Sequence, residues 1–252
     1  MKLLADSTLQ SYVTPAAFSG FIAAKHDINF SPTFDTFDQV NPDIYIADAD
    51  KLTEAVFKNI EERPALKVFI VQKTGLDTEH PNKQKVLDRF GNIFTWILDG
   101  GHADLLLYNN AQFHNRYKAD IITIQDNESP LLKDIIFPDD IIFRIFSINI
   151  INHNNYCGFA VESIRKNLYK SSRLSFSSGD HYYNSIVCDC MPIPMDSNYL
   201  ESLNTDYSTA LKELKELTLN KHTNFHAITS ILDMAGYIQE SKIIQNKLKE
   251  IL

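Results

Sequence analysis

The stretch KSSRLSFSSGDHYYNSIVCDCMPI, Lys170 to Ile193, gathers the residues whose types and order suit ligand chemistry. Leu174 to Phe176 reads as a short strand, Ser177-Ser178-Gly179-Asp180 as the break after it, and Tyr182 to Cys188 as a helix. Cys190 to Pro194 reads as the entry to the next strand. In a parallel α/β sheet such a break lies at the carboxyl ends of the strands. There the unpaired amides of a helix amino terminus face an anion such as a diphosphate. Ser177, Ser178 and Gly179 would let a ligand approach the backbone, although the same residues also make an ordinary turn. Lys170 and Arg173, with Arg165 and Lys166, would set fixed positive charge against a departing diphosphate, or else form a solvated helix face. His181 opens the helix, where the dipole keeps it neutral until an anion binds, and so reads as a phosphate contact. Tyr182 and Tyr183 are either stacking partners for a base or sugar, or core and rim packing.

Stepping outward along the chain, apolar runs at Lys2–Ala5, Ile28–Phe30, Ile44–Ala47 and Lys67–Val71 read as strands. Helical spacing separates them at Pro15–Lys25 and from Asp50 or Thr53 to Ile60. This alternation argues for βαβ units and a parallel sheet. The middle predicts a helix at Lys83–Phe90 and strands at Ile93–Leu98, Leu105–Leu107 and Ile121–Ile124, with Asp99-Gly100-Gly101-His102 as a loop. After the apolar run Ile141–Ile151, helices are expected at Phe159–Tyr169, Asp206–Leu219, Phe225–Met234 and Ser241–Leu252. The boundary between two α/β lobes is expected near residue 140, giving an amino-terminal lobe 1–140 and a carboxy-terminal lobe 141–252 that holds the final helices.

The run Tyr183-Asn184-Ser185-Ile186-Val187-Cys188-Asp189-Cys190-Met191-Pro192-Ile193 resembles the C-terminal donor-binding segment of GT-B glycosyltransferases, exostosin-like and fucosyltransferase-like members above all. Asn184 falls where those families often carry the carboxylate that holds the ribose hydroxyls, and Asp189 where they usually have Gly. The resemblance covers roughly 25 of the 252 residues. It implies two Rossmann-like lobes facing a cleft, and transfer of a sugar from a UDP- or GDP-sugar donor to a hydroxyl acceptor with no obligatory metal or other cofactor. Lys170, Arg173, Ser177, Ser178, Gly179, His181, Tyr182, Tyr183 and Asn184 would bind the donor. The first lobe would bind the acceptor, a glycan or, for a viral source, a hydroxymethylated DNA base, and would supply the general base. Asp6, His26, Asp99 and His102 end or follow expected strands, and Asp99 and His102 are preferred because their Gly-rich loop can approach a ligand.

Two rival constellations stand beside this one. Asp48-Ala49-Asp50 resembles the D-x-D of metal-dependent GT-A glycosyltransferases, in which paired carboxylates hold a divalent ion against the diphosphate, but Asp50 serves equally as a helix cap. Asp6 and Asp48, with Thr74, resemble the phospho-acceptor layout of response-regulator receivers. A second acid after the first strand and a Lys near Ile124 are missing from that layout. A non-catalytic receiver-like signalling or binding module is therefore the alternative class.

Composition sets the outer bounds. A net charge of −8 argues against a strongly electrostatic nucleic-acid binder, and 44% hydrophobic with 22% charged residues is an ordinary globular balance. No run of 18 apolar residues occurs, and Asp6 follows Met1-Lys2-Leu3-Leu4 too soon for a signal peptide, so a cytoplasmic protein is expected. Cys157, Cys188 and Cys190 make neither a disulfide framework nor a zinc set and read as free thiols.

Overall fold

The computed structural model describes residues 1–6, 27–30, 34–48, 52–73, 88–91, 93–98, 101–125, 137–147, 152–177 and 180–252. The chain forms two compact units, Met1–Gly101 with Asn224–Leu252, and His102–Thr223. Each unit holds its own five-stranded, all-parallel sheet among the described residues, which makes the protein an α/β chain.

The first unit opens with β1 (Lys2–Ala5), β2 (Asp27–Phe30), α1 (Phe34–Val40), β3 (Ile44–Ala47), α2 (Glu54–Glu61), β4 (Lys67–Lys73) and β5 (Ile93–Leu98). Its strand order is β2-β1-β3-β4-β5. All four residues of β3 are buried, which is why Ile44-Tyr45-Ile46-Ala47 shows no alternation of polar and apolar positions. Thr53, not Asp50, caps α2: its hydroxyl accepts the Val56 N–H at 3.4 Å. The helix then buries Val56, Phe57 and Ile60 in a core with Leu4, Phe37, Tyr45 and Val68.

The second unit comprises α3 (Leu105–Tyr108), a 3₁₀ turn at Asn115–Tyr117, β6 (Ala119–Gln125), β7 (Phe143–Ser147), β8 (Tyr156–Phe159), α4 (Glu162–Lys170), β9 (Ser172–Phe176), α5 (Asp180–Val187), β10 (Met191–Ile193), α6 (Tyr199–Asn204) and α7 (Ser208–Lys221). The strand order is β10-β9-β6-β7-β8. Beginning at β6, the chain builds outward through β7 and β8. It then returns to the other side of β6 with β9 and β10, which gives the first five strands of the 3-2-1-4-5-6 order of a Rossmann-like sheet. Ile121, Phe143, Ile145, Leu174, Phe176 and Ile193 make the core of this unit. The chain then passes back to the first unit with α8 (Asn224–Met234) and α9 (Ile238–Ile251).

Several expectations are corrected. The division falls at Gly101, not near residue 140, and the two final helices count with the first unit. Leu105–Leu107 is helical: the Asp104 carboxylate accepts the Leu107 N–H at 3.1 Å, and Leu105 and Tyr108, three apart, are both buried. Phe159 ends a strand, and helix α4 begins only at Glu162. The expected helix at Pro15–Lys25 and most of that at Lys83–Phe90 lie outside the described residues.

At the carboxyl end of β1, Asp6 is wholly buried. A buried carboxylate is costly unless hydrogen-bonded, and three bonds meet that demand. The Tyr45 hydroxyl donates at 3.0 and 3.1 Å to its two oxygens, and the Asp48 N–H donates at 2.8 Å. Asp6 thus ties β1 to β3 where the strand order reverses. Burial, and then the neighbouring Asp6 charge, push the Tyr45 phenol well above its usual range. Tyr45→Phe should therefore lower stability by about 1–3 kcal/mol, the cost of withdrawing a donor from a buried acceptor. Urea unfolding of the two proteins checks this, and an unchanged midpoint would remove the tie.

Candidate functional site

Reversal of strand order in the second unit falls between β6 and β9, and Ser177 directly follows β9. Thr123 of β6 donates its hydroxyl to the Phe176 carbonyl at 3.1 Å, joining the ends of the two strands. Ser177 lies 2.8 Å, hydroxyl to hydroxyl, from Ser175 on β9 and donates to the Ser185 hydroxyl on α5 at 3.5 Å. Ser185 donates in turn to the Tyr182 carbonyl at 2.8 Å. Strand, turn and helix are thereby linked through three hydroxyls. Ser178 and Gly179 lie outside the described residues, and α5 begins directly after them at Asp180.

His181, in the first turn of α5, is held from α4. Tyr169 is fully buried, so its hydroxyl must find a partner, and it meets His181 Nδ1 at 2.9 Å. Burial chiefly, and then the nearby Tyr108, raise the Tyr169 phenol well above its normal value, so it stays protonated. With Nδ1 accepting the phenol proton, Nε2 is the ring nitrogen that donates.

The remaining expected donor contacts do not gather at the turn. Lys170 ends α4 and Arg173 is the second residue of β9, so both sit toward the amino end of that strand, at the end opposite Ser177. Lys170 is ion-paired with Asp189, which Lys215 also reaches at 2.5 Å, while Arg173 donates to the Thr205 carbonyl at 3.4 Å. Asp189 takes φ 62, in the left-handed region just past α5, a conformation that favours Gly. Here the two lysines, not glycine's freedom, accompany that conformation.

Asn184 is also relocated. It is buried, at 5% exposure, and its amide oxygen accepts the Asp104 N–H at 2.8 Å. A ribose ligand does not fit this, and the side chain instead anchors α5 to the start of α3. Tyr183 stacks on His222, centroids 4.7 Å apart and planes at 18°, and Tyr182 meets Tyr183 edge-on at 5.2 Å. His102 opens the second unit and so is not a first-unit base. Asp99 lies outside the described residues. Ser175, Ser185, Thr123 and Tyr169 were not singled out from sequence. Ser175 and Ser185 carried a signal nonetheless, being small polar residues at buried positions of an apolar strand and helix.

Among the described residues no group of three or more His, Cys, Asp or Glu could hold a metal ion, and no helix is long and apolar enough to cross a membrane. In the first unit a pocket of about 320 Å³ is lined by Arg63, Arg89, Glu61 and Phe90. Its guanidinium groups already face carboxylates, Arg63 with Asp38 and Arg89 with Glu61, each at 2.5 Å. No family model matches the chain, and no curated protein or solved structure matches it.

Two predictions follow from this geometry. Burial pushes the Cys188 thiol up to about 12 and the Cys190 thiol higher still, whereas Cys157 is exposed. In the native protein one of the three thiols should react promptly with a thiol reagent, and the other two only on unfolding. Rapid modification of two or more would contradict this packing. Asp189 is partly buried, which pushes its carboxyl up, but hydrogen bonds and charge from Lys170 and Lys215 outweigh that and hold it below its usual range. A carboxylate with a depressed native pKa adds stability above its unfolded pKa and loses it as pH falls through the native value. Asp189→Asn, which keeps the left-handed tolerance, should cost under about 1 kcal/mol at pH 7 because the pair is open to solvent. The loss should shrink as pH falls through the native value and vanish below it, as acid and urea titrations of both proteins would show.

Proposed function

We propose that the chain is a GT-B-type glycosyltransferase that moves a sugar from a nucleotide-sugar donor to a hydroxyl acceptor. The observation that carries the reading is the position of Ser177 and of the start of α5 at Asp180. Ser177 follows β9 at the carboxyl edge of a parallel sheet, at the reversal between β6 and β9, where open α/β sheets bind their ligands. The amides opening α5, the Ser177 hydroxyl and the His181 ring would receive the diphosphate, and Tyr182 borders the same turn. Resemblance of the 183–193 segment to donor-binding segments supports the same assignment. Neutral donors and helix amides would carry the anion without an obligatory metal. The first unit would bind the acceptor, and the base is assigned to Asp99 of that unit, with His102 as the alternative from the second unit.

A second reading draws on the first unit. The order β2-β1-β3-β4-β5 is that of flavodoxin and receiver folds, with Asp48 directly after β3. Against a phospho-acceptor role, the neighbouring Asp6 is closed off by Tyr45 and the Asp48 amide. Beryllofluoride should accordingly leave Asp48 unmodified, and a stable adduct would favour the receiver module.

A nucleoside diphosphate should raise the thermal midpoint without added metal, because a ligand that binds only the native state stabilises it by mass action. His181→Ala should remove most of the shift. A shift that needs magnesium or manganese and is lost in Asp48→Asn or Asp50→Asn would support a metal-dependent transferase instead. No shift with UDP, GDP, CDP or their sugars would overturn both transferase readings.

A further inference from the structure

The chain passes between its two units twice, after Gly101 and after Thr223, and both passages meet inside the second unit. The Ala103 N–H donates to the His222 carbonyl at 2.7 Å, and Ala103 forms a parallel bridge with Thr223. Helix α5 grips each passage with adjacent residues. Asn184 accepts the Asp104 N–H beside the first, and Tyr183 stacks on His222 of the second. One turn further on, the Cys188 thiol donates to the Tyr108 carbonyl at 3.9 Å, keeping α3 on the same helix. Gly101, the residue before the first passage enters the second unit, takes φ 99, a conformation that favours glycine.

We propose that α5 clamps the two passages and couples them to the turn at its own amino end. A helix of eight residues is a rod of about 12 Å, and the clamp residues sit two and three positions beyond His181. A ligand that orders the first turn of α5 therefore orders Tyr183 and Asn184 with it. This coupling rests on reading the Ser177–His181 turn as the nucleotide site. The clamp itself does not.

Hydrogen exchange followed by mass spectrometry on the full chain tests both parts. Without ligand, Asn184→Ala and Tyr183→Ala should each speed exchange about tenfold in both passages, 101–105 and 221–225, while β6 and β9 stay protected. Tyr183→Phe, which keeps the ring, should exchange like the parent. The clamp is overturned if each alanine variant loosens only the passage it touches, or if Tyr183→Phe loosens both. With the nucleoside diphosphate selected by thermal shift, the parent should slow in both passages. Asn184→Ala should bind the nucleotide by calorimetry yet lose that slowing. A nucleotide that binds and slows neither passage overturns the coupling. Failure of every nucleotide to bind overturns the functional reading and its link to α5, and the ligand-free comparison still decides the clamp.

Discussion

Parallel pairing of β9 against β6 is the constraint on which the second unit depends. Parallel neighbours need a crossover. By placing β9 on the opposite side of β6 from β7, the chain creates one position at the carboxyl edge where consecutive connections diverge. The residues at that position are Phe176, tied to Thr123 through its carbonyl, and Ser177. Everything proposed about ligand binding starts from that local geometry. The first unit has a reversal of its own between β1 and β3, closed by the Asp6, Tyr45 and Asp48 contacts. One edge is therefore sealed by a buried carboxylate that ties two strands together, and the other presents a helix amino terminus after small hydroxyl residues.

Buried polar side chains around α5 serve as joints. Tyr169 holds His181, Asn184 holds Asp104, and Ser185 holds the turn of its own helix while meeting Ser177. A buried polar group without a partner is costly, so each of these pairs fixes a relation between elements more sharply than apolar contact alone would. This is how eight helical residues can position a turn, a neighbouring helix and two chain passages at once.

Much of the fold was legible because its signals are local. Ile44–Ala47, Lys67–Val71 and Leu174–Phe176 are apolar runs bounded by breakers, and all are strands. The segment at Leu105–Leu107 was not legible, because three leucines in a row suit either period and only the Asp104 cap decides for a helix. The boundary was misplaced for a physical reason too: breakers such as Pro138 and Asp139-Asp140 interrupt a connection within one unit as readily as a connection between two. Lys170 and Asn184 show what spacing cannot provide. Charge near a turn in sequence can lie at the opposite end of a strand in space. An amide on a helix can point into the interior, toward a partner 80 residues away.

The most direct test of the central claim is a titration of isotope-labelled protein with UDP and GDP, followed through its backbone amide resonances. Binding at the β6–β9 reversal predicts that the largest shifts fall on Ser177 through Tyr182, with smaller ones running along α5. Shifts centred on Asp6 and Asp48, or saturating binding that leaves the Ser177–Tyr182 amides unmoved, would contradict it.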